Sequence, residues 1–310
     1  MPPATAHADR SARVLVNGPA AWNTLVLLDQ LPAARPHMAF AQRHWQGLGG
    51  TSAGKALALA RLGVPVALRT VLGTDDDAAA IRSALEHPLL DVLGQVVTGP
   101  SEHHLNLMSA RGERVSLYLD AAPDPGPAPD EVHDVLRTAP VAVLDLAGHS
   151  LELLAAAQAA GTEIWCDVHD DDGVATFHEP FRAAAAVLVV SEDRLPDPRA
   201  YLTARVAGGA RWAVCTRGSR GAVALGAEEG WVEVDAVPVA EVVDTNGAGD
   251  AFVAGMLAAR LDGRPLADCL RWGAVAGALC VQTHHLVPDL VRADVAARAH
   301  AAEVRAGGRG

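Results

Sequence analysis

Residues 244–252 read Asp-Thr-Asn-Gly-Ala-Gly-Asp-Ala-Phe, which is a small-residue turn followed by a carboxylate and the start of an apolar segment. Apolar side chains continue at helical spacing as far as Leu261, so the stretch predicts a turn that leads into a helix. The first backbone N–H groups of a helix lack an intrahelical partner, and the helix dipole makes that end partly positive. The stretch therefore predicts a site where a phosphoryl group approaches the backbone closely.

Asp250 is the acidic residue of this predicted anion site. A carboxylate there would repel the anion, so its presence suggests that it has a chemical task. Accepting the proton of an attacking alcohol is such a task. The backbone donors of Gly247, Ala248 and Gly249 would stabilise charge on the phosphate in the transition state. For an isolated Asp in a Gly-rich turn, a helix N-cap would be the favoured interpretation.

The whole string Asp-Thr-x-Gly-Ala-Gly-Asp resembles the C-terminal signature of the ribokinase-like, or phosphofructokinase-B (PfkB), family of carbohydrate kinases. The resemblance implies that Asp250 is the catalytic base and that the backbone of 247–249 is the anion hole. It also implies that Asp244, Thr245 and Asn246 lie beside the bound nucleotide. The fold it implies is a three-layer α/β/α domain with a mostly parallel central sheet and a small lid of β-strands.

Composition fits a soluble enzyme that acts on small molecules. The formal net charge of −12 over 310 residues, without a basic stretch, argues against a nucleic-acid or membrane partner. Half of the residues are hydrophobic, which is enough for a sizeable core. The N-terminus lacks the apolar segment of a secretory signal and no run could span a bilayer, so we expect a cytoplasmic protein. Its four separated cysteines are expected to be reduced core thiols: Cys166, Cys215, Cys269 and Cys280.

Apolar runs alternate with Ala- and Leu-rich helical stretches, which predicts a parallel sheet covered by helices. The predicted strands are 13–17, 64–70, 141–146, 163–167, 186–190 and 212–216. The predicted helices are 53–62, 76–85, 151–160, 201–207, 248–261 and 266–281. We expect a single kinase domain over residues 1–310, with flexible ends at 1–12 and 301–310.

Two segments interrupt this alternation, at about 24–45 and 103–119. The second reads as two short strands around a hairpin turn at 110–113, and the two segments together predict a small sheet. The resemblance implies the same, because family members carry a lid inserted at these places. A lid excludes water from an activated phosphoryl donor. Its edge strands would favour a homodimer formed through the lid.

Residues 49–63 begin Gly-Gly-Thr-Ser-Ala-Gly-Lys and resemble the family's N-terminal signature. The resemblance implies an acceptor sugar near the following residues: Asn23, Gly49, Gly50 and Thr51. Family members usually have Asn where Gly54 stands and Asp where Asn23 stands. The identity of the sugar and of the hydroxyl that is phosphorylated therefore does not carry over.

The same segment has the spacing of a Walker A phosphate loop, Gly49-x4-Gly54-Lys55. In that interpretation Lys55 would reach the nucleotide phosphates, but Ala56 stands where a magnesium-binding hydroxyl is needed. We therefore interpret Lys55 as a solvent-facing helix residue.

The nucleotide would contact a turn that resembles the family's Thr-x-Gly-x-x-Gly turn beside ATP, formed by Thr216, Gly218 and Gly221. Phosphoryl transfer requires Mg²⁺ to screen and orient phosphate charge. The family's Asn-x-x-Glu string is replaced by residues 191–194, Ser-Glu-Asp-Arg, where Glu192 is the candidate for the metal and a helix start is the alternative.

Three further patterns bear on ligands. Residues 42–45 resemble the run before the Gly-Gly turn in ketohexokinase-like members. Residues 283–286, Thr-His-His-Leu, replace the small-residue loop that binds a monovalent cation in the family, which argues against potassium activation although Asp244 remains. Residues 167–173 are rich in Asp and are interpreted as a solvated loop rather than a metal site, with Asp167 matching a strand-end Asp of the family.

The sequence thus predicts an ATP-dependent sugar kinase that phosphorylates a hydroxymethyl group, with Asp250 as base. Three alternatives stay open. An adenosine-like nucleoside kinase of the same fold would use Trp22 and Trp45 as stacking groups. A P-loop NTPase would depend on Lys55. A non-catalytic sugar- or nucleotide-sensing member would bind without turnover.

Overall fold

The computed structural model describes residues 13–109, 113–169, 171–301 and 304–306. Within these ranges the strands are β1 Val14–Asn17, β2 Ala21–Leu28, β3 Arg43–Gly49, β4 Val66–Leu72, β5 Leu90–Val96, β6 Glu102–Ser109, β7 Arg114–Asp120, β8 Val141–Leu144, β9 Glu163–Asp167, β10 Val187–Ser191, β11 Trp212–Thr216, β12 Ala222–Gly226, β13 Gly230–Val234 and β14 Val304–Ala306. The helices there are α1 Thr51–Arg61, α2 Asp76–Ala84, α3 Asp130–Thr138, α4 Leu151–Ala160, α5 Glu179–Ala184, α6 Pro198–Ala207, α7 Ala248–Leu261, α8 Leu266–Cys280 and α9 Arg292–Ala301.

The central sheet has strand order β14-β13-β12-β11-β10-β9-β8-β1-β4-β5 in the described residues. The strands from β11 to β5 pair in parallel, and β12 to β14 add an antiparallel edge. The chain passes from β1 to β4 on one side and later enters β8 on the other side. A sheet of this kind binds ligands at such a reversal, beyond the carboxyl ends of its strands.

Alternate residues of the parallel strands enter two separate cores, which makes the molecule three-layered. Val14 and Val16 of β1 pack in the core formed with α1, α2, α7, α8 and α9. Leu15 packs in the core formed with α3, α4, α5 and α6. Strands buried on both faces read as nearly continuous apolar runs, which is why the sequence indicated a parallel sheet.

The lid is a separate four-stranded sheet of order β3-β2-β6-β7. Strand β2 pairs antiparallel with β3 and parallel with β6, and β6 pairs antiparallel with β7. Strand β7 is one edge of this sheet, and every one of its side chains is exposed.

The fold prediction is confirmed, with small shifts at element ends. Helix α6 begins at Pro198 rather than 201, because Asp197 caps it by accepting a hydrogen bond from the Ala200 amide. The four cysteines are free and buried, as expected. Residues 1–12 and 110–112, for which flexibility and a turn were predicted, lie outside the described residues. In the part of the chain that the structure describes, every helix is too short or too polar to cross a membrane.

Candidate active site

The turn before α7 has the geometry that its small residues suggest. Gly247 is the N-cap, with φ of 77°, and a Cβ at this position would lie 2.2 Å from the carbonyl oxygen of Leu286. Asp244 Oδ1 accepts a hydrogen bond from the Asn246 amide at 2.8 Å, and burial raises the pKa of Asp244. Ala248 N–H donates to the Thr245 carbonyl at 3.3 Å. The turn thus presents the amino end of a 14-residue helix, whose first amides are suited to an anion.

Asp250 lies in the first turn of α7 with 14% of its side chain exposed. Its Oδ1 atom accepts a hydrogen bond from Thr51 Oγ1 and lies 3.1 Å from Lys55 Nζ. Its Oδ2 atom faces α1, because a Cβ built on Gly54 would lie 3.0 Å from it. Burial raises the pKa of Asp250, while Lys55 and Thr51 act against that rise.

Lys55 is a residue of this site, so the prediction that it faces solvent was wrong. Its side chain is fully buried and its Nζ lies 3.0 Å from Asp145, 3.1 Å from Asp167 and 3.1 Å from Asp250. Burial by itself would lower its pKa, but the three carboxylates together raise it above the usual value. Lysine is rarely buried unless it is paired. From its position on α1, Lys55 reaches the carboxyl ends of two strands and the amino end of α7, where its three partners lie.

The Walker A interpretation fails for a geometric reason. Helix α1 begins at Thr51, so Gly54 and Lys55 lie inside the helix rather than in a phosphate-binding loop. Strand β3, which precedes the helix, belongs to the lid and not to the central sheet.

Asp145 and Asp167 lie at the carboxyl ends of the neighbouring strands β8 and β9. Asp145 Oδ2 also accepts a hydrogen bond from Ser52 Oγ at 2.6 Å. Burial would raise the pKa of Asp167, yet the Lys55 ammonium holds it below its usual value. These two carboxylates anchor the ammonium that contacts Asp250.

The solvated-loop interpretation of 167–173 is also wrong for Asp171, which is fully buried. Its carboxylate pairs with Arg182 NH1 at 2.8 Å and accepts a hydrogen bond from Tyr201 Oη at 2.7 Å. His178 Nδ1 lies 2.8 Å from the same carboxylate. This cluster ties the loop to α5 and α6 and is structural.

Where the acceptor is predicted to bind, Asn23 of β2 lies over the Gly-Gly turn. A Cβ on Gly49 would lie 2.2 Å from Asn23 Nδ2, and one on Gly50 would lie 2.5 Å from the Pro19 carbonyl oxygen. Asn23 is 4% exposed, and its Oδ1 is buried without a hydrogen-bond partner among the described residues. A buried acceptor of this kind is costly unless a ligand donates to it.

Where the nucleotide is predicted to bind, Thr216 ends β11 and pairs in register with Ser191 at the end of β10. Gly221 has φ of 82°, and a Cβ there would lie 2.0 Å from the Val234 carbonyl oxygen, so this turn requires glycine. Gly218 also has a positive φ, of 53°. The turn therefore lies beside the end of β10, where Glu192 follows.

The candidate metal ligand Glu192 begins a short 3-10 turn in which Ser191 Oγ accepts from the Asp193 amide. Its carboxylate forms an ion pair with Arg220. Among the described residues, no cluster of three or more His, Cys, Asp and Glu side chains is arranged to hold a metal ion. Mg²⁺ usually takes one or two carboxylates together with substrate phosphates, so Glu192 and Asp193 fit that donor set.

The lid contacts the turn before α7 and the segment after α8. Arg114 NH1 of β7 donates to Asn246 Oδ1 at 2.9 Å, and the Trp45 ring of β3 lies 5.1 Å from the His284 ring. Trp22, in contrast, packs half-buried against the main core.

A sequence profile of the pfkB family carbohydrate kinases matches residues 23–291. The acarbose 7(IV)-phosphotransferase of Actinoplanes sp. is 31% identical over 273 residues, which cover 86% of this chain and 90% of that protein. The cytidine kinase of Thermococcus kodakarensis is 27% identical over 249 residues, which cover 73% of this chain and 84% of that protein.

Solved structures show the same fold. The microbiome-derived acarbose kinase Mak1 superposes with a TM-score of 0.83 at 26% identity, over 94% of this chain and 99% of that one. The ribokinase of Arabidopsis thaliana, complexed with ribose and ATP, superposes with a TM-score of 0.76 at 22% identity, over 93% and 99% of the two chains.

The three-layer sheet, the lid and the carboxylate at a helix amino end define a ribokinase-like phosphotransferase. The chain belongs to the pfkB family of carbohydrate kinases. It is a kinase whose acceptor is a sugar or a nucleoside, and the recognition made from the two signatures is confirmed.

The structure brings Thr51 to Asp250 and Asn23 to Gly49, so residues predicted for the acceptor contact the predicted base and the Gly-Gly turn. Sequence reasoning missed Lys55 and Asp145. The signal for Lys55 was its spacing of four residues from Thr51, which puts both side chains on one face of α1. The signal for Asp145 was a lone carboxylate in an apolar run at the end of a predicted strand.

Proposed function

We propose that this chain transfers the γ-phosphate of ATP to a hydroxymethyl group of a small carbohydrate. Asp250 is the catalytic base, and the backbone of Gly247, Ala248 and Gly249 is the anion hole. The observation that carries the proposal is the placement of a largely buried carboxylate at the amino end of α7, held by Thr51 and Lys55.

The contacts of Asp250 assign different tasks to its two oxygens. Oδ1 receives Thr51 Oγ1 and lies against Lys55 Nζ. Oδ2 lies against Gly54, where a Cβ would be 3.0 Å from it, and no described residue donates a hydrogen bond to it. The acceptor hydroxyl would therefore approach Oδ2 and lose its proton there as its oxygen attacks the γ-phosphorus in line. A base with a raised pKa takes that proton more readily at neutral pH.

The remaining residues bind and orient. Asn23 Oδ1 would accept a hydrogen bond from a second hydroxyl of the sugar, since it is buried and otherwise unpaired. Thr216, Gly218 and Gly221 would lie along ATP, and Asp244, Thr245 and Asn246 shape the turn that receives its γ-phosphate. Glu192 and Asp193 would hold Mg²⁺, whose charge screens the phosphates when it is bound. Glu192 would have to release Arg220 to do so.

The test is ADP release from Mg-ATP over a panel of pentoses, ketohexoses, phosphosugars, nucleosides and acarbose. We expect turnover with a sugar acceptor and a fall of about 10² to 10⁴ in kcat for Asp250→Asn, as is usual for loss of a general base. Asp268→Asn, which alters an ion pair on α8, is the matched control and should keep wild-type activity. An Asp250→Asn variant as active as the control would refute the assignment of the base.

A nucleoside kinase is the second candidate, favoured by the likeness to a cytidine kinase. The two rings that would stack on a nucleoside base already have contacts within the protein, because Trp22 packs on the core and Trp45 contacts His284. A higher kcat/KM for cytidine or adenosine than for every sugar would favour it. Binding of ATP and sugar without turnover would instead favour a sensing role.

A further inference from the structure

A cavity of about 780 Å³ lies next to the proposed acceptor site. Pro19 and Ala20 line it, and the same two residues touch the Gly50 turn. The cavity continues along residues 146–149, which directly follow Asp145 at the end of β8, and under Glu102 and Tyr118 of the lid. Its volume is within the range of ligand pockets, about 300 to 1,000 Å³, and is several times that of one hexose.

Thr70 gives the cavity wall an unsatisfied polar group. The residue lines the cavity and is fully buried. Its Oγ1 atom has no hydrogen-bond partner in the described part of the chain. Buried hydroxyls are nearly always paired, so a ligand or water in the cavity is the expected partner.

His149 supplies a neutral hydrogen-bond donor to the same cavity. Burial, and after it the neighbouring Arg69 guanidinium, lowers the pKa of His149 to about 4, so the ring is neutral at pH 7. Arg69 NH1 contacts His149 Nδ1, and a guanidinium can only donate. Nδ1 is therefore the acceptor, the ring proton is on Nε2, and Nε2–H is the donor left for a ligand.

The charges of the lining select against anions. Glu102, Asp124 and Glu152 line the cavity, whereas no Lys or Arg is found among its described lining residues. Arg69 is fully buried behind His149, where it also contacts Asn17 and Gln95. Carboxylates accept hydrogen bonds from hydroxyls, and the Tyr118 ring, which contacts the His104 ring with the ring centroids 3.9 Å apart, is 70% exposed and presents apolar surface to the cavity. Donors, acceptors and an aromatic face together suit a neutral polyhydroxylated ligand.

We propose that this cavity binds the further sugar units of a neutral oligosaccharide or glycoside, one unit of which is phosphorylated beside Asp250. The proposal rests on the proposed function, because it extends the acceptor site of the same reaction. An acceptor that carries phosphate would be disfavoured by the three carboxylates of the lining.

The test compares each monosaccharide with oligosaccharides that contain it: glucose with maltose and maltotriose, galactose with lactose, and fructose with sucrose. We expect kcat/KM to be at least about tenfold higher for the longer acceptor in the series that reacts, since contacts that strengthen acceptor binding raise kcat/KM. Equal values, or a preference for the monosaccharide, would overturn this proposal and leave the kinase assignment intact. Absence of both turnover and ligand-induced stabilisation across the whole panel would overturn both.

A bulky variant locates the effect in the cavity. Gly148 lines the cavity, and a Cβ there would meet no atom within 4 Å, so Gly148→Phe fills the space without an immediate clash. We expect the ratio of kcat/KM between long and short acceptors to fall at least about tenfold. Ala159→Phe, on the exposed face of α4, adds the same bulk elsewhere and should keep the wild-type ratio. An unchanged ratio in a folded Gly148→Phe variant would refute the cavity as the subsite.

Discussion

Replacing Lys55 with Met tests whether its ammonium controls the basicity of Asp250. Met keeps most of the length of the side chain and removes the charge. Charges 3.1 Å apart, as Lys55 Nζ and Asp250 Oδ1 are, interact by about 5 kcal/mol at an effective dielectric constant of about 20. One pKa unit corresponds to about 1.4 kcal/mol, which sets an upper limit near 4 units. Because water and relaxation screen part of this interaction, we expect a rise of about 2 units.

The direction of the pKa shift follows from the groups around Asp250, the proposed base. Burial already raises the pKa of Asp250 and Lys55 opposes that rise, so removal of Lys55 raises it further. Asp250 accepts a proton only when it is ionised, which means that activity is present above its pKa and lost below. In Lys55→Met the acidic limb of the kcat/KM profile should therefore move to higher pH by about 2 units. ADP release measured from about pH 5 to about pH 9.5 would record the limb.

The stability of Lys55→Met must be measured as a control, because this variant leaves three carboxylates without their cation. Losing one partner of a buried ion pair typically costs about 3 to 5 kcal/mol. The double variant Lys55→Met/Asp145→Asn removes one charge of each sign and should unfold at a higher temperature than the single variant. Lys55→Arg keeps the cation and should keep the acidic limb close to that of the wild type. A folded Lys55→Met enzyme whose activity falls by the same factor at every pH would refute the electrostatic coupling.

Four further outcomes follow from single contacts. Gly54→Ala should lower kcat roughly threefold to tenfold, because its Cβ would lie 3.0 Å from Asp250 Oδ2 and displace it; kinetics would check this, with urea unfolding on the same preparation as the control for folding, and an unchanged kcat would contradict it. Gly247→Ala should lose about 1 to 3 kcal/mol in urea unfolding, since its φ is positive and its Cβ would meet the Leu286 carbonyl; an unchanged midpoint would contradict this. Asp171→Ala should lose about 3 to 5 kcal/mol, because it removes the buried carboxylate that pairs with Arg182 NH1 and accepts from Tyr201 Oη, although Arg182 NH2 keeps its ion pair with Glu179. The pKa of Asp171 is lowered by its partners despite burial, so in the wild type this contribution is present above the unfolded pKa, about 3.9, and disappears as pH falls through the folded pKa, which acid titration of stability would detect. The predicted homodimer should dissociate in Leu117→Glu on the exposed strand β7, as sedimentation velocity would show; a wild-type monomer would refute dimerisation through the lid.

The central sheet was predictable because its strands are buried on both faces. Apolar runs such as 163–167 and 212–216 match strands β9 and β11 at both ends. The antiparallel edge formed by β12 to β14 was not predicted, since β12 ends and β13 begins at a glycine and β14 has only three residues. The lid was predictable as two interruptions of the pattern, but its register depends on pairing between segments about 80 residues apart along the chain.

Site residues were predictable where the local backbone conformation fixes the residue type. They were not predictable where ion pairs between distant parts of the chain fix the position of a side chain. Gly247 and Gly221 are glycines because a Cβ would strike a carbonyl oxygen, and such positions belong to a local turn that a motif can describe. Lys55 is different. Its burial depends on Asp145 and Asp167, which are 90 and 112 positions away, so helical spacing alone could not distinguish a buried ammonium from a solvated one.

The same contacts account for the departures of this chain from the family pattern around the acceptor. Family members usually have Asn where Gly54 stands, and a side chain there would occupy the space beside Asp250 Oδ2. In this chain the neighbours of Gly54 along α1, Thr51 and Lys55, hold the other oxygen instead. Anchoring Oδ1 while keeping a side chain away from Oδ2 would hold the proposed base in position for the acceptor hydroxyl. We therefore expect Gly54 and Lys55 to act as a coupled pair. Gly54→Asn should reduce the rate of ADP release by a larger factor when Lys55 is present than in the Lys55→Met background.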